Sequence, residues 1–169
     1  ERLLAWQASL FPSGQSGMVD IRVGKWRHAG GDPMQIISGP YGKERVHYVA
    51  PPAARLEAEI SAFLEWFDGE NDIDPVLKAG LAHLWFVSIH PFDDGNGRIA
   101  RAIADMALAR SERSDQRFFS MSAQIQIERK AYYDILESVQ RGTLDVTNWQ
   151  VWFLACLARA IERAQETLA

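Results

Sequence analysis

The sequence predicts a mainly α-helical domain carrying one β-hairpin. Three observations lead there. Apolar residues recur at helical spacing through most of the chain, one Gly-rich stretch instead sets two runs of β-formers on either side of a turn, and no repeat period or low-complexity tract interrupts them. The 169 residues, 47% hydrophobic, suffice for one domain with a substantial core and would make a second independent domain cramped.

Leu3, Leu4, Trp6, Leu10 and Phe11 predict a short helix within an N-terminal segment, residues 1–18, ended by the proline and glycines of Pro12 to Gly17. An extended segment, residues 19–50, follows. In it Met34-Gln35-Ile36-Ile37 and Val46-His47-Tyr48-Val49 flank the turn-like Ser38 to Gly42 and read as a β-hairpin. The helical core then spans residues 51–169. Pro51-Pro52 opens a helix whose stripe is Leu56, Ile60, Phe63, Leu64 and Phe67, stopping near Gly69. Asp74 as N-cap and Pro75 in the first turn start a second helix to about Ile89, with Leu77, Leu81, Leu84, Trp85 and Ser88 as its expected buried face. The periodicity breaks in a polar loop between Ile89 and Ile99, then resumes with Ile99, Ile103, Met106 and Ala107. Further helices are expected around Ile127 to Val139 and from Trp149 to the end, where Trp149, Phe153, Cys156 and Ala160 share a face. Starting at Glu1 rather than methionine and ending inside an apparent helix, the sequence leaves open that it is a domain of a longer protein.

A net charge of −4 and a pI near 5.6 provide no basic field, so no nucleic-acid partner is expected. Cys156 alone allows neither an intrachain disulfide nor a cysteine zinc cluster, which suits a reducing cytoplasm. The most apolar run, Ala79 to Val87, falls far short of the ~20 residues that cross a bilayer, and no secretion signal shows, so no membrane partner is expected.

The chemistry concentrates in twelve residues, His90-Pro91-Phe92-Asp93-Asp94-Gly95-Asn96-Gly97-Arg98-Ile99-Ala100-Arg101. Gly95 and Gly97 permit backbone conformations that let successive N–H groups converge on an anion, and the next helix begins with its positive end toward it. Asp94, just before this cradle, suits Mg²⁺, a hard cation held by one or two carboxylates plus phosphate oxygens and water. Arg98 and Arg101, three apart on a helix, offer forked donors matched to phosphate. His90, with an ordinary pKa near 6.5, is the side chain best suited to take a proton from a hydroxyl. Phe92 reads as an apolar anchor for the loop and Asp93 as solvated. His28, His47 and His83 lack metal-ligand spacing, so surface or core roles are expected for them, and the six tryptophans read as packing residues.

In these residues the sequence resembles the Fic family, whose signature is His-x-Phe-x-Asp/Glu-Gly-Asn-Gly-Arg-x-x-Arg, and every fixed position matches. The segment ending in Val49-Ala50-Pro51-Pro52 resembles the family's flap and linker. Arg129, Tyr132-Tyr133, Leu136 and Asp145 to Trp149 resemble the closing helices of bacterial members. The resemblance implies a Fic-fold helical domain with a hairpin flap beside the active-site loop, and a protein adenylyltransferase. His90 would be the general base that deprotonates a Ser, Thr or Tyr hydroxyl attacking the α-phosphorus of ATP. Asp94 would hold Mg²⁺, Asn96 and the Gly95 to Gly97 backbone would bind phosphate oxygens, Arg98 the β-phosphate region and Arg101 the γ-phosphate. The hairpin from about Asp32 to Tyr48, with Met34, Ile36, Val46 and Tyr48, would dock an extended segment of a target protein. Tyr132 and Tyr133 are candidates for the adenine pocket, against a packing role.

Many family members carry an inhibitory helix with Ser or Thr followed four residues later by Glu and then Gly or Asn. The nearest echo is Glu70-Asn71, but Trp66 stands where Ser or Thr belongs and Gly69 breaks the helix. An inhibitor is therefore expected upstream in cis, in trans, or not at all. Two alternatives remain at this level. One is a Fic-fold enzyme with another outcome, namely UMP transfer, phosphoryl transfer or removal of AMP. The other is a non-catalytic helical interaction module, against which the intact His90, Asp94 and arginine pair argue.

Overall fold

A computed structural model describes residues 1–28, 33–40, 42–70, 72–112 and 118–168. Among these are seven α-helices and two small antiparallel sheets, the mainly α composition expected. Helix α1 (Arg2–Leu10) leads into a hairpin, β1 (Gln15–Ser16) and β2 (Val19–Asp20), and a second hairpin pairs β3 (Gln35–Ser38) with β4 (Arg45–Val49). The helices α2 (Leu56–Asp68), α3 (Pro75–Ile89), α4 (Asn96–Glu112), α5 (Met121–Ile127), α6 (Arg129–Gln140) and α7 (Thr147–Leu168) follow.

The flap hairpin forms between the two predicted runs. Gln35 pairs with Val49, Ile36 with Tyr48, Ile37 with Val46 and Ser38 with Arg45, with a register shift between Ile36 and Ile37. The predicted flap start at Asp32, and Tyr41 in the turn, lie outside the described residues. A second hairpin, β1 and β2, was not expected, because strands of two residues leave no alternation to read.

Contacts sort the chain into two compact units, Glu1–Glu70 with Trp85–Ala100, and Asn71–Leu84 with Arg101–Ala169. In the first, Phe63 of α2 is 1% exposed and its ring centroid lies 5.7 Å from those of Phe67, Trp85 and Phe86. The α2 stripe holds for Leu56, Ile60, Phe63 and Phe67, and the helix ends at Asp68. The echo of an inhibitory motif at Glu70 therefore lies beyond the helix, and Asn71 lies outside the described residues. Also in this unit, Gln7 of α1 is wholly buried; its amide donates to the Arg22 carbonyl at 3.3 Å and accepts from the Gly24 N–H at 2.6 Å.

In the second unit, Asp74 caps α3 as expected, its Oδ1 accepting from the N–H groups of Val76 and Leu77 at 2.9 and 3.2 Å. The expected buried face of α3 needs correction. Leu84 is buried as expected, and so are Ala79, Ala82, His83, Phe86 and Ile89, whereas Leu77, Leu81, Trp85 and Ser88 are only half-buried. A helix covered on most sides has no single stripe, so the period pointed to one arbitrary face. The expected helix from Ile127 to Val139 proves to be α6 together with the end of α5, which Ser120 caps by accepting from the Ala123 N–H at 3.1 Å. At seven residues, α5 is too short to show a period.

The core of this unit is aromatic. His83, Trp149 and Phe153 are fully buried, with the His83 ring 5.3 Å from Trp149 and 5.7 Å from Tyr132. Burial drives His83 down to about 3, so it is neutral. The Trp149 indole N–H donates to the Gly80 carbonyl at 2.8 Å, and the missing Gly80 side chain leaves room for Gln150 and Phe153 of the same helix α7. Trp149→Phe removes this donor, and the Gly80 carbonyl keeps only its bond along α3. Urea unfolding should show a loss of about 1 kcal/mol or more; an unchanged midpoint would mean that the bond contributes nothing net.

Candidate active site

The chemistry-bearing loop joins α3 to α4. His90 follows the last residue of α3 with φ +51°, the one non-glycine residue with positive φ among those described. This left-handed conformation costs an L-residue about 1–3 kcal/mol and persists only where surrounding contacts fix it. The His90 N–H still bonds the Phe86 carbonyl at 3.2 Å, while its carbonyl accepts from Arg27 Nε at 2.9 Å. The ring Nδ1 lies 3.1 Å from the Val87 carbonyl oxygen. A carbonyl can only accept, so Nδ1 carries a proton, and in the neutral ring Nε2 keeps its lone pair. Burial lowers the His90 pKa, the Val87 carbonyl raises it in part, Arg27 lowers it further and Asp94 raises it.

Phe92 is fully buried, its ring 4.9 Å from that of Trp26 and 6.4 Å from that of Phe86. Asn96, 2% exposed, closes a ring with the Phe92 main chain: its Oδ1 accepts from the Phe92 N–H at 2.9 Å and its Nδ2 donates to the Phe92 carbonyl at 2.8 Å. The side chain expected at a phosphate thus shapes the loop, and what Asn96 offers an anion is its backbone N–H. Asn96, Gly97 and Arg98 are the first residues of α4, where N–H groups lack intrahelical partners and the helix dipole favours negative charge.

Asp94 accepts from the Ser16 hydroxyl at 2.5 Å and from the Gly95 N–H at 2.6 Å, and lies 3.6 Å from Arg98. It is a half-exposed carboxylate at a helix start. That fits Mg²⁺ completed by phosphate and water and does not fit a metal caged by protein alone, and no group of three or more His, Cys, Asp or Glu among the described residues could form such a cage. Gly95 has φ +92°, and a Cβ there would sit 3.0 Å from the Phe11 ring, whose face also carries the Arg98 guanidinium at 4.5 Å. Asp93, expected to be solvated, instead accepts from the Arg22 N–H at 3.0 Å.

Sequence reading missed the strap that supplies these contacts. Ser16, Arg22, Trp26 and Arg27 meet Asp94, Asp93, Phe92, Pro91 and His90 in reverse order along the loop, the Arg27 N–H bonding the Pro91 carbonyl at 2.9 Å. Only the aromatic Trp26 beside Arg27 in a Gly-rich stretch hints at it.

Arg101 belongs to the second unit. There the Tyr132 hydroxyl bonds both Arg101 and, at 3.0 Å, His83 Nε2. Tyr132 is 3% exposed, and burial pushes its phenol pKa well above the ordinary value; the Tyr133 ring is half-exposed beneath the Arg129 guanidinium at 5.7 Å. Of the flap residues, Val46 is exposed, Met34 and Ile36 are half-buried, and Tyr48 donates its hydroxyl to the Ser88 carbonyl at 2.9 Å. No described helix is long and apolar enough to cross a membrane.

A model of the Fic/DOC family matches residues 1–108, which include the whole loop and strap. The chain belongs to the Fic/DOC family. Among curated relatives, the protein adenylyltransferase Fic of Nematostella vectensis is 28% identical over 168 residues, covering 96% of this chain and 36% of the relative. That of Drosophila grimshawi is 35% identical over 85 residues, covering 47% of this chain and 17% of the relative. The Fic chain therefore spans about a third or less of these relatives' lengths. The crystal structure of a Fic family protein from Desulfovibrio desulfuricans G20 superposes with a TM-score of 0.74 at 26% identity, over 98% of this chain and 46% of that one. A Fic domain containing signaling protein from Bacteroides thetaiotaomicron gives 0.69 at 21% identity, over 96% and 60%, a likeness of fold.

Two outcomes test this Fic loop geometry. NMR titration of the His90 ring should give a pKa below 6.5. Because the folded value is depressed, stability is intact above the unfolded pKa and falls as pH drops from about 6.5 toward the folded one. A value at or above 6.5 would contradict the burial. Gly95→Ala forces a side chain into positive φ against Phe11, so calorimetry should show a loss of about 1–3 kcal/mol.

Proposed function

We propose that this chain is a protein adenylyltransferase, transferring AMP from ATP to a hydroxyl side chain of a target protein. The observation that carries the reading is the state of His90, whose Nδ1 donates to Val87 so that Nε2 is left as a proton acceptor, with a pKa held below the ordinary value. In the reaction His90 Nε2 takes the proton of a Ser, Thr or Tyr hydroxyl as that oxygen bonds to the α-phosphorus. The bond from the α-phosphorus to the oxygen bridging to the β-phosphate breaks, and pyrophosphate leaves with the electron pair. The N–H groups at the start of α4 receive phosphate oxygens, Arg98 neutralises charge near the β-phosphate, and Arg101 takes the γ-phosphate. Asp94 would hold Mg²⁺, which supplies charge neutralisation for the departing pyrophosphate.

Relatives named protein adenylyltransferase support this assignment at family level. For the target, the flap is a two-stranded sheet among the described residues, a form that suits an added strand, and Ile37, Val46 and Val49 on it are exposed. An extended segment presenting a hydroxyl fits that edge. Control would come from an inhibitory segment in cis upstream or from a partner, since α2 ends before Glu70.

The test is incubation with Mg²⁺ and ATP labelled at the α-phosphate, beside γ-labelled ATP and a His90→Ala control, with a cell lysate as target source. Label from the α position that is absent in the control establishes adenylyl transfer. Label from the γ position instead would make the reaction phosphoryl transfer, and equal α-label with His90→Ala would remove His90 as base.

A further inference from the structure

Arg27 is a cation that the proposed chemistry does not use, yet it is 8% exposed. Burying a guanidinium is unfavourable unless its donors are satisfied, and here they are spent on main-chain carbonyls. Nε donates to His90 and Nη2 to Pro51, while the residue's own N–H donates to Pro91. Burial pulls the Arg27 pKa below its ordinary value, and the nearby Asp93 carboxylate offsets part of this. A buried charge attached to the one strained non-glycine residue described, rather than to a carboxylate, calls for a reason.

His90 at φ +51° supplies it. Left alone, a histidine after a helix relaxes from the left-handed region, rotating its carbonyl and swinging the ring away from Val87. Arg27 fixes two consecutive carbonyls, His90 and Pro91, on the far side of that turn, and its neighbour Trp26 stacks on Phe92. We propose that Arg27 is the positioning residue of His90, whose bonds to the His90 and Pro91 carbonyls hold the left-handed turn that keeps the imidazole on Val87 with Nε2 unprotonated. A planar guanidinium can serve the His90 and Pro51 carbonyls together; a lysine ammonium, a point donor on a flexible stem, cannot reproduce that fork. The charged groups acting on His90, Arg27 and Asp94, oppose each other, so a change of charge at Arg27 and a change of geometry are separable. For that reason the test keeps the charge.

The proposal rests on His90 being the base, and its test reads His90 directly. In Arg27→Lys and Arg27→Gln chains, long-range proton–nitrogen correlation reports the His90 tautomer without nucleotide, and steady-state AMP transfer reports kcat and the KM for ATP. The expected result is a shift of His90 from the Nδ1–H form to a tautomer mixture in both variants, while buried His83 keeps its signals. kcat should fall about 100-fold, the scale of a misplaced reacting group, with KM for ATP unchanged. A wild-type tautomer in a folded Arg27→Lys chain overturns the proposal whatever the activity. So does a variant in which His83 signals, kcat and KM all change together, because that is general loosening. A shifted tautomer with undiminished transfer upholds Arg27 as the holder of the ring and rejects His90 as base, which separates the two readings. Should both variants fail to fold, the coupling across the hydrogen bond from Arg27 Nε to the His90 carbonyl carbon is measured in the unaltered chain: its presence supports the hold and its absence overturns it.

Discussion

The rest of the site depends on the backbone of His90 turning left-handed where α3 ends. With φ at +51°, the main chain leaves the helix axis at once, so Pro91 and Phe92 run back under the strap and α4 can start only six residues later, at Asn96. A strain of about 1–3 kcal/mol is large against a total stability of about 5–15 kcal/mol for a domain. Individual hydrogen bonds contribute about 0.5–1.5 kcal/mol net, so no single one holds the turn. Several acting together do: Arg27 on two carbonyls, Val87 on the ring, and Trp26 on the fully buried Phe92.

Within the loop, tasks divide between side chains and backbone. Phe92 and Asn96, both buried, commit their side chains to shape. What is left for a ligand is the N–H array at the start of α4, the half-exposed Asp94 and Arg98, and the unshared electron pair on His90. Side chains that would otherwise move are held from outside the loop: Ser16 on Asp94, the Phe11 ring under Arg98, and in the second unit the Tyr132 hydroxyl on Arg101. Preorganised groups of this kind need no rearrangement when charge develops, which is where electrostatic catalysis gains most.

How much of this was legible in the sequence follows from where each part gets its stability. The stripe of α2, the cap of α3 at Asp74 and the flap hairpin were readable, because a one-sided helix, a capping carboxylate and paired β-runs leave local marks. The buried face of α3 was not, since a helix covered on most sides carries no contrast between faces. The strap from Ser16 to Arg27 was invisible for a different reason. Its contacts run to residues more than 60 positions away and mostly through main-chain atoms, which impose no pattern on composition. In the loop, the residue types were readable and their tasks only partly so: Asn96 is as well suited to clamp a backbone as to bind a phosphate, and only coordinates separate the two.

The strap changes what a signature match is worth. A chain cut after residue 28 would keep all twelve residues from His90 to Arg101 and be scored as intact by any search for that pattern. It would nevertheless lack the partners of Asp94, Asp93, Phe92, Pro91 and the His90 carbonyl. For a truncated, fused or rearranged copy of this chain, an intact loop is therefore not enough to count it as complete: the arginine preceded by an aromatic residue, 63 positions before His90, has to be present too.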